Sequence, residues 1–589
     1  MAVEDAAPIG FPNLAQDKGL KRGALGLLSS VVIGMASTAP AYSLAASLGF
    51  VVATGGGALL AGVKTPAILL LAFVPMYFIA VAYAELNKAE PDCGTTFTWA
   101  ARAFGPVTGW LGGWGIIAAD VIVMANLAQI AGAYSFTFLG DLGWQSAADL
   151  ANSVVWSTVA GVIWIVLMTY ICYRGIEVSA RVQYALLSIE IVVLVMMSVT
   201  ALVRVWSGHA ESYSLTPSLS WFWPGGLSLS EVIAPAMLTA VFLYWGWDTA
   251  VATNEEADDP ARTPGRAAII STLLLLATYA LVSTAMVAFA GTGTAGIGLA
   301  NPENSSDVFR AVGPALFGSG WLGTAGLLLL SASVLTSASA STQTTILPTA
   351  RTALSMAAYR AIPTRFARIH PRYLTPTDAT IGMGLISIVF YVLFTVVSSN
   401  LLNALVGSVG LMIAFYYGLT GFACVWFYRR GLTSSVRNLV MRGVLPLLGG
   451  VILLVAFVYA LRSYAAPDWL TDDSGNNVTI AGVGAVAVVG VVAIILGVVL
   501  MVVYWWASPD YFRGRTLPRR GAHDLVLVEG EGELEHGGLP DSGLPSVVLS
   551  PDLSNLPPGG HAADLAEEHH RLAHATEEEP DPGAPRDAT

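Results

Sequence analysis

Charged residues are scarce in this sequence. Asp, Glu, Lys and Arg make up 12% of its 589 residues, whereas 55% are hydrophobic, and the mean hydropathy is +0.65. A soluble domain carries about twice that charged fraction, because it must cover its surface with polar groups. Repeated apolar runs are long enough, at about 18 residues or more, to cross a bilayer. The composition therefore predicts an all-α integral membrane protein with about twelve transmembrane helices.

Features typical of enzymes and metalloproteins are also missing. The three cysteines, Cys93, Cys172 and Cys424, show no spacing that indicates a disulfide framework or a zinc site. No histidine lies inside an apolar run, and there is no Walker-type phosphate loop. An integral membrane enzyme would instead cluster His, Asp and Glu at one membrane face. We therefore expect no enzymatic activity, no metal, no cofactor and no nucleic-acid partner.

The basic residues predict the orientation in the membrane. Twenty-two Lys and Arg fall in loops on the side shared by both termini, and four fall on the opposite side, namely Lys64, Arg204, Arg310 and Arg462. Basic loops are retained in the cytoplasm. We therefore expect a multi-pass protein of the cell membrane with both termini in the cytoplasm.

The sequence divides into four parts. Residues 1–23 are predicted as a cytoplasmic N-terminal tail, 24–428 as a membrane-embedded core of ten helices, and 429–507 as two further helices. From 508 to 589 the chain is rich in Gly, Pro, Asp and Glu and has few aromatic residues. Such a segment cannot bury enough apolar surface to fold alone, so it is predicted to be a disordered acidic cytoplasmic tail.

The first apolar run, ALGLLSSVVIGMASTAPAYSLAASLGF, is interrupted near its centre. Gly34 lowers helix preference, and Pro40 lacks an N–H and clashes with the preceding turn. These two residues bracket the stretch in which we expect the helix to break, namely Met35, Ala36, Ser37, Thr38 and Ala39. Ser37 and Thr38 are able to cap a half-helix. The alternative is a simple proline kink.

The sixth run is interrupted as well. VFLYWGWDTAVATNEEADDPARTPGR (241–266) places Gly246 between Trp245 and Trp247 and puts Asp248 at membrane depth. Non-helical backbone is tolerated there only beside a cavity or buried in protein. Interruptions in the first helix of two successive five-helix sets are typical of inverted-repeat transporters, in which half-helix N-termini face the anionic part of a substrate. The alternative is two unrelated kinks, with Asp248 paired locally.

Three more polar residues lie inside predicted helices. Asp120 and Asn126 are in helix 3 and Glu190 is in helix 5, where an unpaired charge is costly. No Lys or Arg lies well inside a run to pair with the two acids. Protonated carboxyls or a cationic substrate are their natural partners, which favours an amine or an amino acid carrying an ammonium group. The alternative is a neutral acid bonded to a neighbouring helix.

Four motifs, in order along the chain, resemble those of the amino acid–polyamine–organocation superfamily. They are VAYAELNKAEPDCGTTFTWAARAFGPVTGWLGGW (81–114), YRGIEVSARVQ (173–183), the helix 6 segment above, and LPTARTALSMAAYRAIPTRFARIHPRYLTPT (347–377). The sequence is similar to the amino acid permeases over 20–510. The resemblance implies a LeuT-type fold, in which helices 1–5 and 6–10 form inverted repeats and helices 11 and 12 are peripheral.

The resemblance also implies a substrate site between the two broken helices. It would combine the broken stretch Gly34–Thr38 of helix 1 with residues of helix 6, namely Phe242, Tyr244, Trp245, Gly246 and Trp247. Asn126 is added to this candidate site as a polar residue inside helix 3. In relatives, an aromatic residue at the position of Phe242 covers the substrate.

The resemblance implies one coupling and gating residue, because the position of Asp248 is that of a family acid which couples gating or protonation to helix packing. Asp120 and Glu190 are grouped with it as acids inside the membrane, where an unpaired charge is costly. Hydroxyls on helix 8 hold sodium in sodium-coupled relatives, which makes Ser337 and Ser341 a candidate ion site. Close packing of small residues accounts equally for that composition.

Two positions depart from the family pattern. Relatives often carry G-x-G in helix 1, where backbone amides hold an α-carboxylate, whereas this chain reads GMASTAP with Gly34 alone. Many proton-coupled relatives have a Lys nine residues after the helix 5 arginine. Counted from Arg181, that position is Glu190, so the charge is reversed and the coupling scheme of those relatives does not transfer.

The sequence thus predicts a secondary active transporter that moves an amino acid or related amine by alternating access. A proton gradient or substrate exchange is the expected driving force, with sodium as a further candidate ion. Two alternatives remain: a polyamine or organocation transporter, and a transport-inactive nutrient sensor with the same fold.

Overall fold

The computed structural model describes residues 17–55, 60–208, 211–397, 399–471 and 475–520, with the backbone alone at 397 and at 399–406. Most of the predicted tails, 1–16 and 521–589, lies outside these residues.

The described chain is predominantly helical. Its α-helices are α1 (Leu27–Ser37), α2 (Pro40–Ala53), α3 (Thr65–Ala89), α4 (Thr96–Phe104), α5 (Pro106–Asp141), α6 (Gln145–Ala151), α7 (Val154–Tyr173), α8 (Ile176–Trp206), α9 (Ala234–Leu243), α10 (Thr249–Ala252), α11 (Thr263–Ala290), α12 (Val308–Phe317), α13 (Trp321–Ala358), α14 (Thr377–Val397), α15 (Ser399–Phe427), α16 (Val436–Asn438), α17 (Leu445–Tyr464), α18 (Ala485–Ala507) and α19 (Pro509–Phe512). A two-stranded antiparallel hairpin, β1 (Thr479–Ile480) and β2 (Val483–Gly484), precedes α18.

The membrane prediction is confirmed. Within the described ranges, eleven helices or helix pairs are long and apolar enough to span a bilayer. A shorter apolar helix, Leu229–Leu243, begins with a π-helical turn and contains α9. Helix 1 of the sequence corresponds to α1 and α2, helix 3 to α5, helix 5 to α8, helix 6 to α9 and α10, and helix 8 to α13.

Burial places helix 1 at the centre of the bundle. Of the most apolar 18-residue window of α1–α2, 94% is buried, compared with 22% for α7 and 28% for each of α17 and α18. α1 packs against α8, α11 and α13, and α13 runs along α5 and α8. The buried polar groups of α1, α2, α5, α8 and α13 therefore contact protein rather than lipid.

The N-terminal segment is packed rather than extended as a tail. Lys18 and Leu20 are buried, although both fall within the predicted tail 1–23. The backbone N–H of Leu25 donates to the carbonyl of Glu256 at 3.0 Å, and the N–H of Asp258 donates back to Leu25 at 2.9 Å. This short parallel pairing fixes the entrance of helix 1 to the exit of helix 6.

The predicted boundary of the C-terminal tail at 508 is too early. Tyr511, Phe512 and Leu517 are buried, and the Tyr511 hydroxyl donates to the carbonyl of Pro106 at 2.9 Å. These three side chains bury apolar surface against the bundle. The average composition of residues 508–589 is polar, so it does not show that the first part of the segment is apolar enough to pack. The part of the tail beyond 520 lies outside the described residues.

Candidate functional site

Helix 1 breaks immediately before its proline. α1 ends at Ser37, and Ala39 adopts left-handed backbone angles (φ 46°, ψ 61°) before Pro40 begins α2. Proline disfavours helical geometry in the residue before it, which accounts for this position. The Thr38 hydroxyl donates to the carbonyl of Met35 at 2.8 Å, so it closes the end of α1 rather than capping α2.

The first part of the predicted break remains helical. Gly34, Met35 and Ala36 all lie inside α1. A Cβ on Gly34 would lie 2.7 Å from Ser271 Oγ and 3.3 Å from Ala250 Cβ. This glycine therefore permits close packing of α1 against α10 and α11.

The helix 6 break lies where the sequence predicts it. α9 ends at Leu243 and α10 begins at Thr249, with an irregular stretch between them. Gly246 has φ 119°, and a Cβ there would lie 2.7 Å from the carbonyl oxygen of Ser37. The two interruptions are therefore in direct contact.

Hydroxyl groups join the breaks to helix 8. Ser37 Oγ lies 2.8 Å from Thr249 Oγ1, and Ser341 Oγ donates to the Ser37 carbonyl at 2.9 Å. Ser337, one turn earlier on α13, accepts the Tyr42 N–H at 3.1 Å. Both hydroxyls of the candidate ion site therefore contact helix 1, each through a hydrogen bond within the protein.

Asp248 is held by two tyrosines of α15. Tyr417 donates to Asp248 Oδ1 at 2.8 Å and Tyr416 donates to Oδ2 at 3.1 Å, and the Trp245 indole N–H donates to the Tyr416 hydroxyl. Sequence reasoning missed these tyrosines. Their signal is a pair of adjacent tyrosines, AFYYGL, inside an apolar run.

The remaining helix 6 aromatics differ in exposure. Phe242 is half-buried, with its ring centroid 6.3 Å from that of Trp245. Tyr244 and Trp247 are buried, and neither the Tyr244 hydroxyl nor the Trp247 indole N–H has a hydrogen-bond partner. The ring of Trp247 packs edge-on to that of Tyr83, with centroids 5.2 Å apart.

The helix 3 residues bond to two different helices. Asn126 Oδ1 accepts the Tyr42 hydroxyl of α2, whereas Asp120 Oδ2 accepts the Thr349 hydroxyl of α13 at 2.5 Å. Thr349 lies roughly two turns beyond Ser341. Asn126 is thus joined directly to helix 1, and Asp120 belongs to a separate contact further along α13.

Glu190 contacts the start of α2. Its Oε1 accepts the backbone N–H of Ala41 at 2.7 Å and the hydroxyl of Ser337 at 2.7 Å, and the side chain is fully buried. The acid that replaces the family lysine is therefore an N-terminal partner of the second half of helix 1.

A buried ionic cluster, the Lys18 latch, lies at the exit of helix 6. It consists of Lys18, Asp92, Glu255, Ser355 and Tyr359. The Lys18 ammonium lies 2.9 Å from Asp92 Oδ2 and 2.5 Å from Glu255 Oε1. Asp92 also accepts the hydroxyls of Ser355 at 2.7 Å and Tyr359 at 2.9 Å. The latch joins the N-terminal segment, the loop before α4, the helix 6 exit and α13.

Asp92 is the carboxyl group of the latch whose ionised form is favoured. Burial opposes its ionisation, but the Lys18 ammonium and the donors from Ser355 and Gly94 outweigh burial and lower the pKa of Asp92 to about 2. Burial alone would lower the pKa of Lys18, but the carboxylates hold it well above its ordinary value. Burial raises the pKa of Glu255 despite Lys18, so Asp92 is the principal anion.

A cysteine, Cys93, lies next to the two carboxylates of the Lys18 latch. Ligand atoms of Asp92, Cys93 and Glu255 lie within 4.8 Å of one another. The Lys18 ammonium already contacts both carboxylates, and a metal ion placed among them would be repelled by it. This group therefore does not support a metal site. A second buried pair flanks it: Arg351 contacts Glu256 through two hydrogen bonds, of 2.6 and 2.9 Å.

Comparison with known proteins agrees with this architecture. The chain superposes on the crystal structure of MhsT in complex with L-phenylalanine with a TM-score of 0.50 at 14% sequence identity, covering 72% of this chain and 98% of that one. The predicted LeuT-type fold is thereby confirmed.

Sequence relatives are transporters. An uncharacterized transporter of Mycobacterium tuberculosis is 27% identical over 448 residues, covering 76% of this chain and 88% of that protein. The branched-chain amino acid permease BcaP of Lactococcus lactis is 25% identical over 268 residues, with coverage of 42% and 54%. Human cationic amino acid transporter 4 is 25% identical over 397 residues, with coverage of 64% and 57%. The amino acid permease family model matches residues 25–468, and this chain therefore belongs to that family.

Proposed function

We propose that this protein is a secondary active transporter of an amino acid or related amine, working by alternating access. The observation that carries the proposal is the contact between the two helix breaks, at Ser37 and Gly246, in the buried centre of the bundle. Backbone groups freed at such breaks are suited to binding a charged solute together with buried acids. Asp248 follows Gly246 along the chain, and Glu190 accepts the backbone N–H of Ala41 at the start of α2. The relatives named as a branched-chain amino acid permease and a cationic amino acid transporter support an amino acid as substrate.

The driving force is proposed to be a proton gradient or substrate exchange. Ser341 donates its proton to the Ser37 carbonyl and Ser337 donates to Glu190, so both candidate sodium ligands are engaged within the protein. The basic loops further support the placement of both termini in the cytoplasm.

Uptake into proteoliposomes tests the proposal. Purified protein is reconstituted and offered a panel of labelled amino acids and amines, with an imposed proton gradient or with unlabelled counter-substrate inside. We expect time-dependent accumulation of at least one compound, unchanged when potassium replaces sodium on both sides. Absence of flux for the whole panel would favour the nutrient-sensor alternative and overturn the proposal.

Phe242→Ala is expected to weaken substrate binding. Phe242 is half-buried beside Trp245, and aromatic packing contributes about 0.5–1.5 kcal/mol beyond the area buried. We therefore expect KM for uptake to rise by about three- to tenfold, with a smaller change in the maximal rate. The matched control is Phe390→Ala, which removes a half-buried ring of α14 whose centroid lies 4.4 Å from that of Phe394. Equal KM values in the two variants would remove Phe242 from the site.

Alternating access requires one face to open, and we propose that the Lys18 latch holds that face closed. Lys18→Met would leave Asp92 and Glu255 buried without their cation, at a cost of about 3 kcal/mol. Cys93 reports the opening, because it is buried beside the latch and its backbone N–H donates to Glu255. In a background lacking the other two cysteines, we expect maleimide labelling of Cys93 to accelerate by at least about tenfold.

The control for that experiment is Lys21→Met. Lys21 also forms an ion pair, at 2.7 Å from Glu177, but the two side chains are 42% and 44% exposed. Exposed pairs contribute about 0–1 kcal/mol, so this variant should label at the wild-type rate. Identical labelling rates for the two lysine variants would exclude the latch as a gate.

A further inference from the structure

The anion position at the start of α2 is already filled by the protein. Pro40 has no N–H, the Ala41 N–H donates to Glu190 Oε1 at 2.7 Å, and the Tyr42 N–H donates to Ser337 Oγ at 3.1 Å. Ser337 in turn donates to the same Glu190 oxygen. A half-helix N-terminus attracts an anion through its free N–H groups and its dipole. The carboxylate of Glu190 thus lies where a substrate carboxylate would otherwise bind.

The second oxygen of Glu190 has no partner. Oε2 is fully buried and makes no hydrogen bond. Because Oε1 already accepts two hydrogen bonds, any proton on the side chain must be on Oε2. Protonated or ionised, Oε2 lacks a partner in this structure, and an unsatisfied buried polar atom is costly. A hydrogen-bond donor that arrives during the transport cycle would remove that cost.

An ammonium group is the donor that fits. It supplies both N–H groups and a positive charge to a buried carboxylate, whose attraction is strong where water is excluded. Asp248 is less suited to this role, because both of its oxygens already accept tyrosine hydroxyls. Glu190 also lies at the helix 1 break, since its partner Ser337 is one turn from Ser341, which bonds Ser37.

We infer that this transporter selects amines that lack an α-carboxylate over the corresponding amino acids. The inference rests on the proposed transport function and narrows its substrate class. The substrate ammonium binds Glu190 Oε2. A substrate carboxylate is disfavoured, because the N–H groups that would hold it are occupied and a second negative charge would lie close to Glu190.

Matched substrate pairs test this selection. Each pair is an amino acid and its decarboxylated amine: ornithine and putrescine, phenylalanine and phenethylamine, leucine and 3-methylbutylamine. Uptake and competition are measured in proteoliposomes of the wild-type protein. We expect the amine of at least one pair to be transported with an apparent affinity at least about tenfold higher than that of its amino acid.

Failure of the amine selectivity and failure of the transporter function would give different results. Transport of amino acids with equal or higher affinity than their amines would overturn the amine selectivity and leave the transporter function intact. Absence of flux for both members of every pair, and for the wider panel, would overturn the transporter function itself.

Glu190→Gln tests the residue directly. The amide oxygen still accepts the bonds from Ala41 and Ser337, but the negative charge is lost. We expect amine affinity to fall by at least about tenfold and the preference for amine over amino acid to disappear. The control is Glu177→Gln, an exposed acid in the first turn of the same helix. Retained amine preference in Glu190→Gln would contradict the inference, and the wild-type pairs decide it if that variant does not fold.

Discussion

Gly246→Ala is expected to reduce uptake by about 100-fold. Two effects combine. Gly246 has φ 119°, which L side chains rarely adopt, and a Cβ would lie 2.7 Å from the Ser37 carbonyl oxygen and 2.8 Å from its carbon. These neighbours are backbone atoms at the helix 1 break, so they cannot turn aside as a flexible side chain would. The substitution must separate the two broken helices or distort one of them.

Gly418→Ala provides the matched control for that uptake measurement. Gly418 lies in α15, and its nearest neighbours would be 3.6 Å from an added Cβ, an ordinary contact distance. We expect this variant to transport at a rate close to that of the wild type, at comparable amounts of folded protein. A Gly246→Ala variant as active as Gly418→Ala would show that the contact between the breaks is not required for transport.

The position of the helix 6 break was predictable because its cause is local. Gly246 lies between two tryptophans and is followed by an acid in the same turn, so the residues that indicate the break are all adjacent to it. The helix 1 break begins later than the sequence predicts, for the opposite reason. Gly34 packs against Ser271, a residue far along the chain, and no feature of the first run shows that partner.

The latch could not be derived from the sequence at all. Lys18 falls in a polar segment that composition assigns to a tail, and its two carboxylate partners lie 74 and 237 residues away. Its burial results from the folding of several segments around it. Asp92 and Glu255 lie within the family motifs at 81–114 and 241–266, but the cation that neutralises them is visible only in three dimensions.

The hydrogen-bond partners of the buried acids could not be predicted from the sequence either. From the sequence alone, Glu190 is either a neutral acid bonded to a neighbouring helix or part of the substrate path. The structure gives it bonds to two helices through one oxygen and leaves the other unpaired. In the sequence, this position is marked by the replacement of the family's Lys by Glu190. The consequence of that replacement depends on what Glu190 contacts, and the structure shows that it accepts the Ala41 N–H at the start of α2.

Asp248→Asn is expected to lower uptake by about 10- to 100-fold while leaving the protein folded. The carboxylate accepts one hydroxyl on each oxygen, from Tyr417 and Tyr416, whereas an asparagine offers one acceptor and one N–H₂ donor. One tyrosine must therefore reorient, and hydrogen bonds to a charged group contribute about 1.5–3 kcal/mol. The variant also cannot exchange a proton, so the pH dependence of uptake should flatten.

Tyr417→Phe is the control: it removes one hydrogen bond but retains the carboxylate, and should slow transport while preserving the pH profile. Wild-type uptake with an unchanged pH profile in Asp248→Asn, alongside a normal thermal unfolding midpoint, would show that Asp248 only packs the helices and takes no part in coupling.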